Sequence, residues 1–70
     1  MNKHGDAEKL RILLPHWIEH NYEHADEFRE WASKVHFASK DLQIAASFLE
    51  RASHALEACL EKQGGLIDDS

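Results

Sequence analysis

His16, His20 and His24 stand four residues apart, and each is followed three positions later by a glutamate: Glu19, Glu23 and Glu27. On an α-helix a step of four turns a side chain by only about 40°, so the three imidazoles share one face. Neutral imidazole is a ligand for transition metals, and two of them one turn apart can chelate a single ion, as in helical zinc motifs. The neighbours suit such a site. Glu19, Glu23 and Glu27 can orient the ring nitrogens or offset the charge of a cation, and Trp17 supplies an apolar wall.

Helix geometry limits what one chain can do with these residues. His16 and His24 are separated by about 12 Å of axial rise, so three histidines on a straight helix do not close around one metal. The remaining ligands must come from another element, and a second copy of the chain is the simplest source. Two such helices crossing antiparallel about a two-fold axis near His20 bring His16 of one chain close to His24 of its copy. Up to six imidazoles then gather at one isologous contact.

The elements that carry the histidines are helical. Asp6 is a suitable N-cap for a short helix over Ala7 to Leu14. Pro15 lacks a backbone donor and clashes with the carbonyl four residues back, so a break is expected there, with Pro15 opening the next helix. Beyond it, Leu10, Leu14, Trp17, Asn21, His24, Phe28, Trp31 and Val35 recur in alternating steps of four and three, a heptad seam. A second seam runs through Ala38, Leu42, Ala45, Leu49, Ala52, Leu56 and Cys59. A turn over His36 to Ser39, with Ser39 capping the second helix, makes a hairpin. One unbroken helix is the alternative, since neither glycine nor proline lies between the seams. Gly64 and Gly65 should stop the second helix. The expectation is an all-α helical hairpin, with a short N-terminal helix, a Pro15 break and two longer helices. These seams are too narrow and too polar to close one molecule, which points to a coiled-coil-like homodimer. Residues 1–70 form one helical domain in this reading, with 1–5 and 66–70 flexible.

Bulk properties exclude other classes. The chain has 70 residues, 8 Lys and Arg against 13 Asp and Glu, and a net charge of -5. An acidic surface does not replace the counterions of nucleic acid. No apolar run has the roughly 18 residues of a membrane span, and the start has no signal-peptide core. One cysteine, Cys59, forms no internal disulfide, which fits a cytoplasmic protein. Cys59 occupies a seam position, as a small core residue does, while His4, His36 and His54 lack a chelating partner four residues away. Phe28, Trp31, Phe37 and Phe48 read as core or dimer packing. Di-iron bundles need Glu-x-x-His, and here the order is reversed. Two thin helices offer little concavity for a substrate, so an enzyme is not expected. The rival reading is a metal-free dimerisation or adaptor module with incidental histidines.

The stretch His16-Trp17-Ile18-Glu19-His20-Asn21-Tyr22-Glu23-His24 consists of His, Trp, two free positions, His, three free positions and His. It resembles the nickel-binding motif of the CooJ-type nickel accessory proteins, or nickel chaperones, of carbon monoxide dehydrogenase maturation. The resemblance covers the motif closely and the two-seam organisation loosely. It implies Ni(II) held by histidines at the interface of a coiled-coil homodimer, and a nickel enzyme or its maturation factors as partners. The imidazoles themselves leave zinc, cobalt or copper open. Members of that family also carry a histidine-rich tail, whereas this chain ends in Leu-Ile-Asp-Asp-Ser. Either such a tail has been removed or this is a tailless relative, for which the resemblance implies only the interface site.

Overall fold

The structure is a computed structural model and describes residues 3–63. Helix α1 spans Lys3–Lys34, a one-turn 3-10 segment spans His36–Ala38, and helix α2 spans Ser39–Lys62. All three elements are helical, and the chain reverses in the short turn placed near His36 to Ser39 by the sequence. Val35 leaves the helix in an extended conformation, φ -117° and ψ 98°, and that single residue starts the reversal. The two helices run antiparallel. The Arg11 guanidinium donates to the Gln63 carbonyl at 3.1 Å at one end, and Arg29 makes a forked pair with Glu50 at 2.6 and 3.0 Å nearer the turn.

Three local expectations, at Pro15, Asp6 and Ser39, are corrected. Pro15 does not divide the N-terminal segment, because α1 continues through it as one helix. Loss of one ladder donor costs about 3 kcal/mol in an isolated helix. Here tertiary contacts grip the helix on both sides of Pro15: before it Leu14 is 1% exposed and Arg11 reaches across to Gln63, and after it the Ile18 carbonyl accepts from Ser53. Because α1 begins by Lys3, Asp6 is an acidic residue of its first turn, favourable to the dipole, and not the N-cap. Likewise Ala38 is the N-cap of α2, without a side-chain cap, while the Ser39 hydroxyl accepts a bond from the Gln43 amide at 3.2 Å. Of the flexible ends expected at 1–5 and 66–70, residues 3–5 belong to α1, whereas 1–2 and 66–70, with the stop at Gly64 and Gly65, lie outside the described residues.

The contact between the helices is rotated from the seams read in the sequence. Leu14, Ala25 and Ala32 of α1 meet Ala46, Ser53 and Leu60 of α2, and these six are the buried ones among the described residues. Four of them are small. Alanine and serine let two helix axes approach closely, whereas Trp17 or Trp31 at the same contact would hold the helices apart. The Ser53 hydroxyl, fully buried, reaches the Ile18 carbonyl at 3.4 Å. The tryptophans are left on the flank, Trp17 40% and Trp31 50% exposed, with Phe48 of α2 59% exposed. The molecule measures 49 × 22 × 13 Å, one helix thick, so neither broad face of the hairpin is covered.

Candidate metal centre

The two broad faces differ in chemistry. A groove on one face is lined by His24, Glu27, Phe28, Trp31 and Val35 of α1 with Ala38 and Leu42 beyond the turn. Trp17, seven residues before His24, continues this flank along α1. On α2 the stripe from Leu42 runs through Ala45 to Ala52, with Phe48 beside it. His24 therefore lies at the edge of an aromatic face, while His20 and His16 step away from it around the helix. The opposite face is acidic and is lined by Glu19, Glu23, Asp26 and Glu57 around Ile18, Tyr22 and Leu60.

Within the motif, the helix brings two histidines together and leaves the third apart. The Nε2 atoms of His20 and His24 are 3.0 Å from one another, with the rings edge to face. His16 stacks on His20 at 6.0 Å between centroids, too far for its nitrogens to share the same point. The outer nitrogens of the pair face carboxylates three residues on. His20 Nδ1 lies 3.9 Å from Glu23, and His24 Nδ1 lies 3.4 Å from Glu27. A carboxylate beside Nδ1 favours the tautomer with its proton there, which frees the Nε2 lone pair to ligate. Glu23 and Glu27 thus stand where the sequence placed them. Glu19 instead lines a small hollow of about 110 Å³ with His16, His20 and Glu23.

The 3.0 Å separation has a chemical meaning. Two imidazole nitrogens about 2.1 Å from one ion and at right angles to each other lie about 3.0 Å apart, whereas tetrahedral angles require about 3.4 Å. The same 3.0 Å is also the length of an N–H···N hydrogen bond between the two rings, so the pair fits either a proton or an ion between its nitrogens. It supplies two ligands. Among the described residues no group of three or more His, Cys, Asp or Glu side chains comes together to hold a metal. The side chains of His20 and His24 are 57% and 44% exposed, so the pair is open to solvent.

Other candidates have local partners. Cys59 is half-buried beside the helix contact. Its place fits the packing role. The His54 ring lies 6.5 Å from that of Tyr22. Glu50, one turn before His54, is taken up by Arg29, which holds its carboxyl below the usual carboxylate range. Phe37, expected to pack, is 91% exposed at the turn. Sequence reasoning missed Arg29 and Glu50 as the fork that fastens the hairpin, because their separation of 21 residues carries no periodic signal.

No described helix is long and apolar enough to cross a membrane. No solved structure matches the chain. An uncharacterized protein of Archaeoglobus fulgidus is 36% identical over 61 residues, covering 81% of this chain and 98% of that protein. The profile of a domain of unknown function, DUF8180, matches residues 10–63, from the last turn before Pro15 to the end of α2. The match spans the hairpin from residue 10 onward, and the chain belongs to the DUF8180 family.

Proposed function

We propose that this protein is a nickel-binding metallochaperone or metal buffer whose site is completed by dimerisation. The observation that carries this reading is the His20–His24 pair, with Nε2 atoms 3.0 Å apart and Nδ1 atoms turned to Glu27 and Glu23. Two copies meeting through the aromatic face about an axis between His20 and His24 assemble four imidazoles. His16 of each chain then lies at the edge of the cluster. This moves the axis from His20, the position expected from spacing alone, by about half a turn.

The aromatic face supports a second copy as the occupant. Leu13, Trp17, Trp31, Ile44 and Phe48 are all exposed large hydrophobics of a 70-residue chain. Exposed aromatics beside the groove of His24, Phe28, Trp31 and Leu42 suit an interaction surface. A helical hairpin one layer thick gains a closed core by pairing into a four-helix arrangement. Nickel is favoured by the motif's resemblance to the nickel accessory proteins, while the imidazoles themselves also accept zinc, cobalt or copper. Bound metal holds the dimer together and its release loosens it, which suits cytoplasmic delivery or buffering, and a nickel enzyme or its maturation factors as client, better than catalysis.

Calorimetric titration of Ni(II) into the full chain tests the reading, with the oligomeric state followed by sedimentation. One high-affinity ion per two chains is expected, lost in His20→Ala and in His24→Ala. Equal heats for wild type and both variants refute the proposed site, and leave the metal-free adaptor as the reading to pursue.

A further inference from the structure

We propose that the groove on the acidic face is a docking site for a basic amphipathic helix of a partner protein. Pro15, Ile18, Tyr22 and Asp26 follow one another in steps of three and four along α1, and Glu57 and Leu60 of α2 form the other wall. The trough has a volume of about 460 Å³. From Pro15 to Asp26 it runs about 16 Å, three helical turns. Pro15, Ile18 and Leu60 give it an apolar floor. A third helix laid between two others presents its side chains at this same spacing, the helix-in-groove mode of recognition.

Charge selects the kind of helix. Glu19, Glu23, Asp26 and Glu57 rim the trough and no basic residue lines it. The nearest cations are engaged elsewhere, Arg29 with Glu50 and Arg11 with the Gln63 carbonyl. The Tyr22 hydroxyl donates to Glu57 at 3.3 Å, and it holds its proton more tightly than an ordinary phenol because of partial burial and the charges of Glu57 and Glu50. A second copy of this chain would bring the same carboxylates against these. Lysines and arginines flanking an apolar stripe match the rim and the floor together. Pairing of two chains through the aromatic face leaves this trough open. Glu19 and Glu23 also border the hollow beside His16 and His20, so a docked helix lies next to the histidines. The docking site does not depend on metal binding.

The test uses a synthetic 16-residue helix with leucines at positions i, i+3, i+4 and i+7 and lysines between them. It is added to the metal-free full chain and followed by fluorescence anisotropy and by amide and side-chain NMR shifts. Shift changes centred on Ile18, Tyr22 and Leu60 are expected. The double substitution Asp26→Asn with Glu57→Gln should weaken binding roughly tenfold or more, whereas Glu30→Gln with Asp41→Asn, equal in charge but outside the trough, should change it less than about twofold. His20→Ala, which tests the metal site, should leave peptide binding as it is. Several outcomes overturn the proposal: equal losses in the two double variants, equal binding of a shuffled peptide of the same composition, shifts centred on Trp17, Trp31 and Phe48, or absence of binding.

Discussion

Glu27→Gln offers a sharp test of how the histidines are held. The substitution keeps the size of the side chain and removes the carboxylate 3.4 Å from His24 Nδ1. That carboxylate favours the tautomer and ring orientation in which Nε2 is free to ligate. Removing such a partner lowers metal affinity roughly 10–100-fold in well-formed sites. The exposure of the pair decides where in that range the effect falls. Glu27 and His24 are 58% and 44% exposed, so water replaces part of the lost interaction and the loss should be roughly tenfold per chain. An ion shared by two chains feels the substitution twice, which makes about a hundredfold for the dimer if the two sites act independently. The assay is competition for Ni(II) against a chromogenic chelator at fixed pH. Glu19→Gln serves as the control, since Glu19 carries the same charge on the same helix but borders the His16 hollow. Unchanged affinity in Glu27→Gln, or an equal loss in both variants, would refute the orienting role and reduce the effect to net charge.

Further outcomes follow from the same structure. Leu14→Ala, at the most buried large side chain, should cost about 2–5 kcal/mol in urea unfolding, and a loss below about 1 would contradict its place in the core. Pro15→Ala restores a ladder donor within α1 and should raise stability by up to about 3 kcal/mol. A fall in melting temperature instead would mean that the proline ring contributes more to packing than the missing bond costs. Trp31→Glu with Phe48→Glu should yield a helical monomer by sedimentation and circular dichroism, and a persisting dimer would place the interface elsewhere. Arg29 depresses the Glu50 carboxyl below its ordinary value of 4.5 through a direct hydrogen bond and its charge. The stabilisation is present above that value and is lost as pH falls through the lower folded value. Glu50→Gln should therefore be less stable than wild type at neutral pH, with the difference closing in acid. A constant difference across that range would rule out the linkage.

Much of the helical organisation was legible in the sequence. Two heptad seams are enough to indicate helix throughout, but their phase passes unbroken from Val35 to Ala38, and the turn near His36 to Ser39 rests only on the rarity of so long a helix. The histidine register was legible for the same reason: a spacing of four on a helix sets side chains on one face whatever the helix packs against. Pro15 misled because its cost in an isolated helix is real, yet local propensity cannot register the contacts of Leu14 and Arg11 with α2. Ser39 misled in the same way, its hydroxyl going to Gln43 in place of a cap.

What the sequence by itself determined was the set of apolar positions, their period and the shared face of His16, His20 and His24. It did not determine which part of a broad apolar arc each helix spends on its own partner. Trp17, His24 and Trp31 fall in one seam by spacing, but close approach of two helices selects the smallest side chains, and Ala25, Ala32, Ala46 and Ser53 take the inner contact. Tertiary packing thereby turned the tryptophans outward onto one uncovered face, with His24 at its edge. Side-chain geometry then singled out His20 and His24 from three equally spaced histidines, because only their Nε2 atoms converge on a common point.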